Sequence, residues 1–216
     1  MQYEYAVIDE ISKRLAGPLP GREAQYRMAT LRRIEDINRL GGVPDHAKVA
    51  CVLHLLHWEH GAWRTLLIQR TANPRDRHAG QISFPGGRHE EHDGTLQQVA
   101  LRETEEEVGI PASSIRVIGR LTDLYIPVSN YLVHPFVGVL ETPARFIAQP
   151  GEVDEIIRPP MRMFYDEDNR KRTDVPVAEG ILLKDVPHFA VENRIVWGAT
   201  AMILNEFIAL FPEGLD

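Results

Sequence analysis

The chain has 216 residues, enough for one substantial core, and its apolar and charged fractions (44% and 25%) are those of an ordinary globular domain. A net charge of −7 argues against nucleic acid as a partner, because phosphate backbones are bound through basic surfaces. No run of about 18 or more apolar residues occurs, and the first residues lack the apolar stretch of a signal peptide, so a cytoplasmic protein with no membrane partner is expected. The single Cys51 excludes an internal disulfide and, in its apolar run, reads as a small core residue.

Tyr5, Ile8, Ile11 and Leu15 recur at helical spacing until Gly17-Pro18-Leu19-Pro20-Gly21 breaks the pattern. A second helical stretch, Glu23 to Leu40, carries Tyr26, Met28, Leu31 and Ile34 among several arginines. Residues 1–45 are therefore expected to form a helical extension packed on a domain of residues 46–216, with a regulatory or dimerising arm as the alternative. Lys48 to Leu56 and Arg64 to Gln69 read as two strands of a hairpin joined by a polar turn at His57 to Gly61. His54, His57 and His60 have no cysteine or carboxylate partner at zinc spacing, so they are read as surface or core residues. Arg70, Arg75, Arg77 and His78 follow in one loop. Arginine's planar fork suits phosphate, so these four are candidate substrate-binding residues. The loop runs into Phe84-Pro85-Gly86-Gly87, whose glycines let backbone approach a metal or phosphate closely, placing Gly86 with the substrate and Gly87 with a metal.

A helix is predicted from about Thr95 to Val108. Thr95 and Gln98 form a capping box, and Gly109-Ile110-Pro111 supplies a left-handed stop. At roughly 100° per residue, Glu103, Glu106 and Glu107 share one arc, while Glu105 faces away to solvent. Ala100, Leu101, Thr104 and Val108 form the adjoining stripe suited to a sheet. Arg102 lies one turn from Glu106 and can hold its carboxylate in place. Three carboxylates on one arc repel each other unless a cation lies among them, and oxygen ligands favour Mg2+ or Mn2+. The competing reading is a solvated acidic face, against which the glycine turn weighs.

Ile115 to Leu121 reads as a strand, and Ile126-Pro127-Val128-Ser129 as a turn leading into another strand through Leu140. Gln149-Pro150-Gly151 makes a turn before Glu152 and Glu155, either of which could instead favour a helix N-terminus. Tyr165 to Glu179 is highly charged and reads as an exposed loop or hairpin tip. Ile195 to Ala201 begins a last helix with Ala201, Leu204, Ile208 and Phe211 on its core face.

The stretch from Gly87 through Arg102-Glu103, Glu106-Glu107, Gly109 and Ile110 resembles the Nudix hydrolase signature. Fourteen residues, one more than usual, separate Gly87 from Arg102; Asp93 takes the mid-loop acidic position, and Thr104 stands where an apolar residue is usual. The longer loop, the Arg-rich lead-in to Phe84-Pro85-Gly86-Gly87, the Ile126-Pro127-Val128-Ser129 turn and the Trp197-Gly198-Ala199-Thr200-Ala201 run resemble the coenzyme A diphosphatase branch. Either Arg75 or Arg77 fills the branch's second arginine position. The resemblance implies a Nudix-type α/β/α sandwich with a mixed twisted sheet, using Mg2+ or Mn2+ on Glu103, Glu106 and Glu107. It implies hydrolysis of coenzyme A or a derivative to 3',5'-ADP and 4'-phosphopantetheine. Catalytic candidates are Glu106, Arg102 and a late carboxylate, Glu152 before Glu155, with the general base either Glu106 through a metal-bound water or Glu152. The alternatives are hydrolysis of another nucleoside diphosphate derivative, such as ADP-ribose or a dinucleotide, and a non-catalytic nucleotide sensor. A monomer or homodimer acting on a small molecule is expected.

Overall fold

In the computed structural model, residues 2–72, 78–177, 180–211 and 215 are described. The fold is built on β1 (Lys48–Glu59), which is apolar along its length because both of its faces are covered. Cys51, Leu53 and Leu55 face one core, with Val99, Ala100 and Val108 of α4 (Leu96–Val108). Ala50, Val52 and Leu56 face the other, with α1 (Gln2–Ala16) and α6 (Gly198–Leu210). This is the expected α/β/α sandwich. Its mixed sheet runs β2-β1-β8-β6, where β2 is Ala62–Thr65, β6 Ile115–Arg120 and β8 Tyr131–Leu140. β1 and β8 are parallel from Lys48↔Tyr131 to Leu56↔Val139, while β5 (Gly86–Arg88) adds antiparallel to β1 and β7 (Leu124–Ile126) to β8.

Several boundaries differ from the sequence reading. The first hairpin turns only at His60 and Gly61, with φ of 53° and 75°, the left-handed pair that a two-residue turn requires. The second strand of that hairpin is two strands. β2 stays on β1, whereas β3 (Leu67–Arg70) crosses at Leu66 into a second sheet, β4-β3-β9, with β4 at Ile82–Ser83 and β9 at Val153–Ile157. The acidic start at Glu152 thus opens a strand and not a helix.

Residues 170–176 form β10, the edge of a third sheet with β11 (Leu182–Val191) and β12 (Arg194–Trp197). Its charged, exposed side chains suit an unprotected edge, and they hid it from a hydropathy reading. Ile195 to Trp197 belongs to β12, so the last helix starts at Gly198; α6 is buried around almost its whole circumference, not along one stripe.

The segment Glu23 to Leu40 also divides, into α2 (Gly21–Tyr26) and α3 (Leu31–Leu40), because Thr30 accepts from the Arg33 amide at 3.3 Å and caps a new helix. The N-terminal helices are bound to the rest of the chain by buried polar contacts. Glu206 of α6, fully buried, accepts from Gln25 Nε2 (2.8 Å), the Gly21 amide (3.2 Å) and the Thr122 amide (3.2 Å). Asn205 donates to the Ala24 carbonyl at 2.6 Å, and Ser12 donates to the Ile118 carbonyl at 3.3 Å.

His54 is fully buried against the rings of Phe84 and Phe207, and neither ring nitrogen has a partner among the described residues. Burial without a partner disfavours the charged imidazolium and pulls its pKa down to about 3. Because the folded pKa lies below the unfolded one, the unfolded chain binds the extra proton, and stability is lost as pH falls from about 6.5 toward 3. His54→Leu should therefore gain on the wild type by about 1–2 kcal/mol between pH 6.5 and 5. Urea unfolding of both proteins across that range checks it; a pH-independent difference would mean the ring is not held neutral. His57 is likewise buried, on Phe146, with its pKa lowered to about 4 chiefly by desolvation.

Candidate active site

The Thr95–Gln98 box caps α4, and Gly109, with φ of 70°, ends it while its amide donates to Glu105 at 2.9 Å. With both ends set, the carboxylates take different surroundings. Glu107 is 3% exposed, Glu103 is partly buried and Glu105 faces solvent. The glycine bend lies directly against them. A Cβ on Gly87 would fall 2.3 Å from Glu103 Cδ, so the carboxylate occupies the space that glycine leaves open. The Gly86 amide donates to Glu107 Oε2 at 2.8 Å, which turns Gly86 toward fixing a carboxylate instead of reaching outward to a substrate.

Arg102 gathers the acidic groups. Its Nη2 lies 2.9 Å from Glu103 Oε1 and its Nη1 3.0 Å from Glu106 Oε2. Its Nε and Nη2 donate to Asp93 at 2.8 and 3.1 Å, a two-point clamp. That bond to Arg102, with the Glu90 amide, holds the Asp93 carboxyl down at about 2, and Asp93 in turn raises Arg102. In the sequence Asp93 stood only as the motif's acid; the geometry gives it the task of anchoring the arginine. The Arg102 fork is thus spent on carboxylates.

Arg70 ends β3 and its Nη1 lies 3.7 Å from Glu107 Oε1. His78 sits in the turn after it, its Nδ1 3.2 Å from Gln81 Oε1, and the Arg70 amide donates to the Gln81 carbonyl at 3.0 Å. Arg75 and Arg77 lie outside the described residues. Glu152 is carried in by two backbone anchors: the Thr71 amide donates to its carbonyl, and the Gln149 amide to that of Glu107, both at 3.0 Å. Glu155, the second candidate, is turned away and paired with Arg194 of β12.

Desolvation raises the Glu107 pKa to about 7, opposed by the Gly86 amide and Arg70 and reinforced by the charges of Glu103 and Glu152. Burial also raises Glu103. The site thus concentrates negative charge that its two arginines do not cancel, and an all-oxygen donor set of this kind fits a hard divalent cation. The cage is not closed in advance: among the described residues no three acidic, histidine or cysteine side chains stand together at ligating geometry. Glu106 is drawn aside by Arg102 and Glu107 by the Gly86 amide.

Residues 45–177 match the model of the NUDIX domain. The chain belongs to the Nudix family. Similar proteins include the "Uncharacterized Nudix hydrolase NudL" of Yersinia pestis (strain Pestoides F), 37% identical over 141 residues that cover 65% of this chain and 69% of the relative. The NudL protein of Yersinia pseudotuberculosis serotype O:1b (strain IP 31758) matches with the same figures. The fold is similar to that of a MutT/nudix family protein from Enterococcus faecalis, with a TM-score of 0.52 and 16% identity over 87% of this chain and 72% of that one. This Nudix protein is a pyrophosphohydrolase, of a family that generally uses divalent metals such as Mg2+ or Mn2+. No helix among its described residues is long and apolar enough to cross a membrane.

One acid–base pair near the site joins the His134-Pro135-Phe136 run, which resembles the coenzyme A-type branch, to a separate segment. His134 of β8 shares a row with Cys51 and Gly87, and its Nδ1 lies 2.9 Å from Asp123 Oδ1. The partners are eleven residues apart, and only strand pairing brings them together.

Proposed function

We propose that this Nudix hydrolase cleaves the diphosphate of coenzyme A or a derivative, giving 3',5'-ADP and 4'-phosphopantetheine or its acyl form. The observation that carries the reading is Arg70, from the coenzyme A-type lead-in, standing 3.7 Å from Glu107 at the glycine bend. A cation able to hold phosphate oxygens thereby adjoins the carboxylates suited to a metal. The Ile126-to-Ser129 turn and the Trp197-to-Ala201 junction add support by resemblance.

Glu103, Glu106 and Glu107, with the Gly87 backbone, would hold Mg2+ or Mn2+. When bound, the cation neutralises phosphate charge and lowers the pKa of a water. Arg102, braced by Asp93, sets the orientation of Glu103 and Glu106. Arg70, with His78 and one of Arg75 and Arg77, holds the substrate's phosphates, and Glu106 or Glu152 takes the proton from the attacking water. Residues 1–45 are a helical extension fixed to a Nudix domain of residues 46–216 through Glu206 and Asn205. The protein acts in the cytoplasm, as a monomer or homodimer, on a small molecule and not on nucleic acid or membrane.

Incubation with Mg2+ or Mn2+ and a panel of coenzyme A, acyl- and oxidised coenzyme A, ADP-ribose and dinucleotides tests it. Release of 3',5'-ADP from a coenzyme A member in preference to the others is the expected result. Preferential turnover of ADP-ribose or a dinucleotide moves the substrate assignment, and binding of a panel member without any turnover overturns hydrolysis.

A further inference from the structure

Glu152 reaches the active site on a turn, and its own side chain does not fix where it lands. The residue is exposed, and its carboxylate makes no hydrogen bond or ion pair among the described residues. Its charge nonetheless acts on both Glu103 and Glu107. A long, unpartnered side chain is aimed only by the backbone that carries it, so the anchors of that backbone matter to the chemistry.

The backbone is pinned on two sides. On one, the amides of Ile147 and Gln149 donate to the carbonyls of Val108 and Glu107, at 2.9 and 3.0 Å, so the segment leaves from the C-terminal end of α4. On the other stands Thr71, the residue after Arg70. Its amide donates to the Glu152 carbonyl at 3.0 Å, and its Oγ1 donates to the Gly151 carbonyl at 2.9 Å. Between these pins the turn closes on itself, the Glu152 and Val153 amides both donating to the Gln149 carbonyl, at 3.3 and 3.1 Å. Gly151 holds a φ of 89° with open space around it, so glycine serves the shape of the turn and not its packing.

Thr71 acts where the ladder between β3 and β9 goes out of step. The register runs from Leu67↔Ile157 to Gln69↔Glu155 and then shifts, so that Arg70 faces Val153. Such an irregularity re-aims side chains and interrupts regular pairing. Beyond it the Thr71 hydroxyl supplies a bond that a ladder does not. Arg70 is fixed from the opposite side, its amide donating to the Gln81 carbonyl at 3.0 Å and its carbonyl accepting from the Gly80 amide at 3.1 Å. Two adjacent residues at one strand end thus tie the proposed phosphate-binding arginine to the turn that carries Glu152. The Thr71 hydroxyl bond lies at the surface, where its loss costs folding little.

We propose that Thr71 is a positioning residue for the reaction: its hydroxyl, through the Gly151 carbonyl, sets where the Glu152 carboxylate stands relative to Glu103 and Glu107. This role rests on Glu152 acting at the site, and not on which diphosphate is cleaved.

Thr71→Val removes the donor at nearly constant shape and leaves the backbone amide in place, whereas Thr71→Ser keeps the donor. Steady-state kinetics on whichever diphosphate of the panel the wild type cleaves fastest compare these two variants, Glu152→Gln, and the double variant Thr71→Val with Glu152→Gln. Hydrogen exchange of metal-free wild type and Thr71→Val is followed in parallel. Thr71→Val should lower kcat about tenfold with KM changed by less than about twofold, the scale of a small misplacement of a reacting group. Thr71→Ser should stay within about twofold of the wild type, and Thr71→Val should cost nothing further in the Glu152→Gln background. Exchange at the Glu152 and Val153 amides should quicken about fivefold or more, while the α4 amides and the urea midpoint hold.

Unchanged kcat in Thr71→Val overturns the role even where exchange quickens, because the hydroxyl then fastens the turn and nothing more. Equal losses of kcat with and without Glu152 overturn it too, as does full turnover in Glu152→Gln, which leaves no group to position. If coenzyme A is inert and another diphosphate is cleaved, the same four proteins decide the role of Thr71 on that diphosphate, and the coenzyme A reading falls by itself. A wild type inert on every member of the panel ends hydrolysis and this role together.

Discussion

Glu106→Gln or Glu107→Gln should cut turnover about 100-fold or more and leave the protein folded, the scale of losing a key electrostatic or acid–base group. The two variants probe different surroundings. Glu106 is half-exposed and, among the described residues, is held by Arg102 at 3.0 Å, so its amide costs little structurally. Glu107 is 3% exposed, and a Gln oxygen can still accept from the Gly86 amide, which now donates at 2.8 Å.

The sign of the Glu107 effect on stability follows from its raised pKa of about 7. The unfolded carboxyl ionises near its ordinary value, so in metal-free protein stability is lost as pH rises from about 4.5 to 7. At pH 8 metal-free Glu107→Gln should accordingly be more stable than the wild type, by about 3 kcal/mol at most. Adding Mg2+ should narrow that gap by stabilising the wild type. Steady-state kcat, paired with urea unfolding in EDTA and in Mg2+, reads both effects. Near-normal turnover in both variants would remove the metal role from this helix.

The two glycines of the bend should fail in opposite ways. A Cβ on Gly86 would lie 2.3 Å from the Cys51 carbonyl oxygen and 2.6 Å from Val52 Cα, both backbone of the central strand, and its φ is +151°. Neither strand nor bend can yield cheaply, so Gly86→Ala should destabilise the protein by about 3 kcal/mol or more. A Cβ on Gly87 instead meets the Glu103 carboxylate, 2.3–2.5 Å away, a side chain that can swing aside. Gly87→Ala should thus stay folded while losing turnover, because the displaced group is a proposed metal ligand. Urea midpoints and kcat measured on both variants separate the cases, and equal stability loss at the two positions would contradict the geometry.

Much of this was legible from residue types and spacing. Thr95, Gln98 and Gly109 act within a turn of themselves, so the limits of α4 could be read directly, and a fixed helical pitch then put Glu103, Glu106 and Glu107 on one arc. The apolar run of β1 and the buried, inert Cys51 were equally local signals. The reading failed where a segment's fate depends on what covers it. Charged β10 is a strand because β11 pairs with it, and Ile195 to Trp197 is strand and not helix for the same reason.

By itself, then, the sequence determined the helix, its punctuation and the arc of carboxylates, because each follows from contacts three or four residues apart. Tertiary structure alone decided that the Gly86 amide would fix Glu107, that Asp93 would brace Arg102, and that His134 would meet Asp123. It also left the Arg33 Nε sheltered with no hydrogen-bond partner among the described residues. These depend on strand register and on the packing of distant segments, and no local periodicity encodes either.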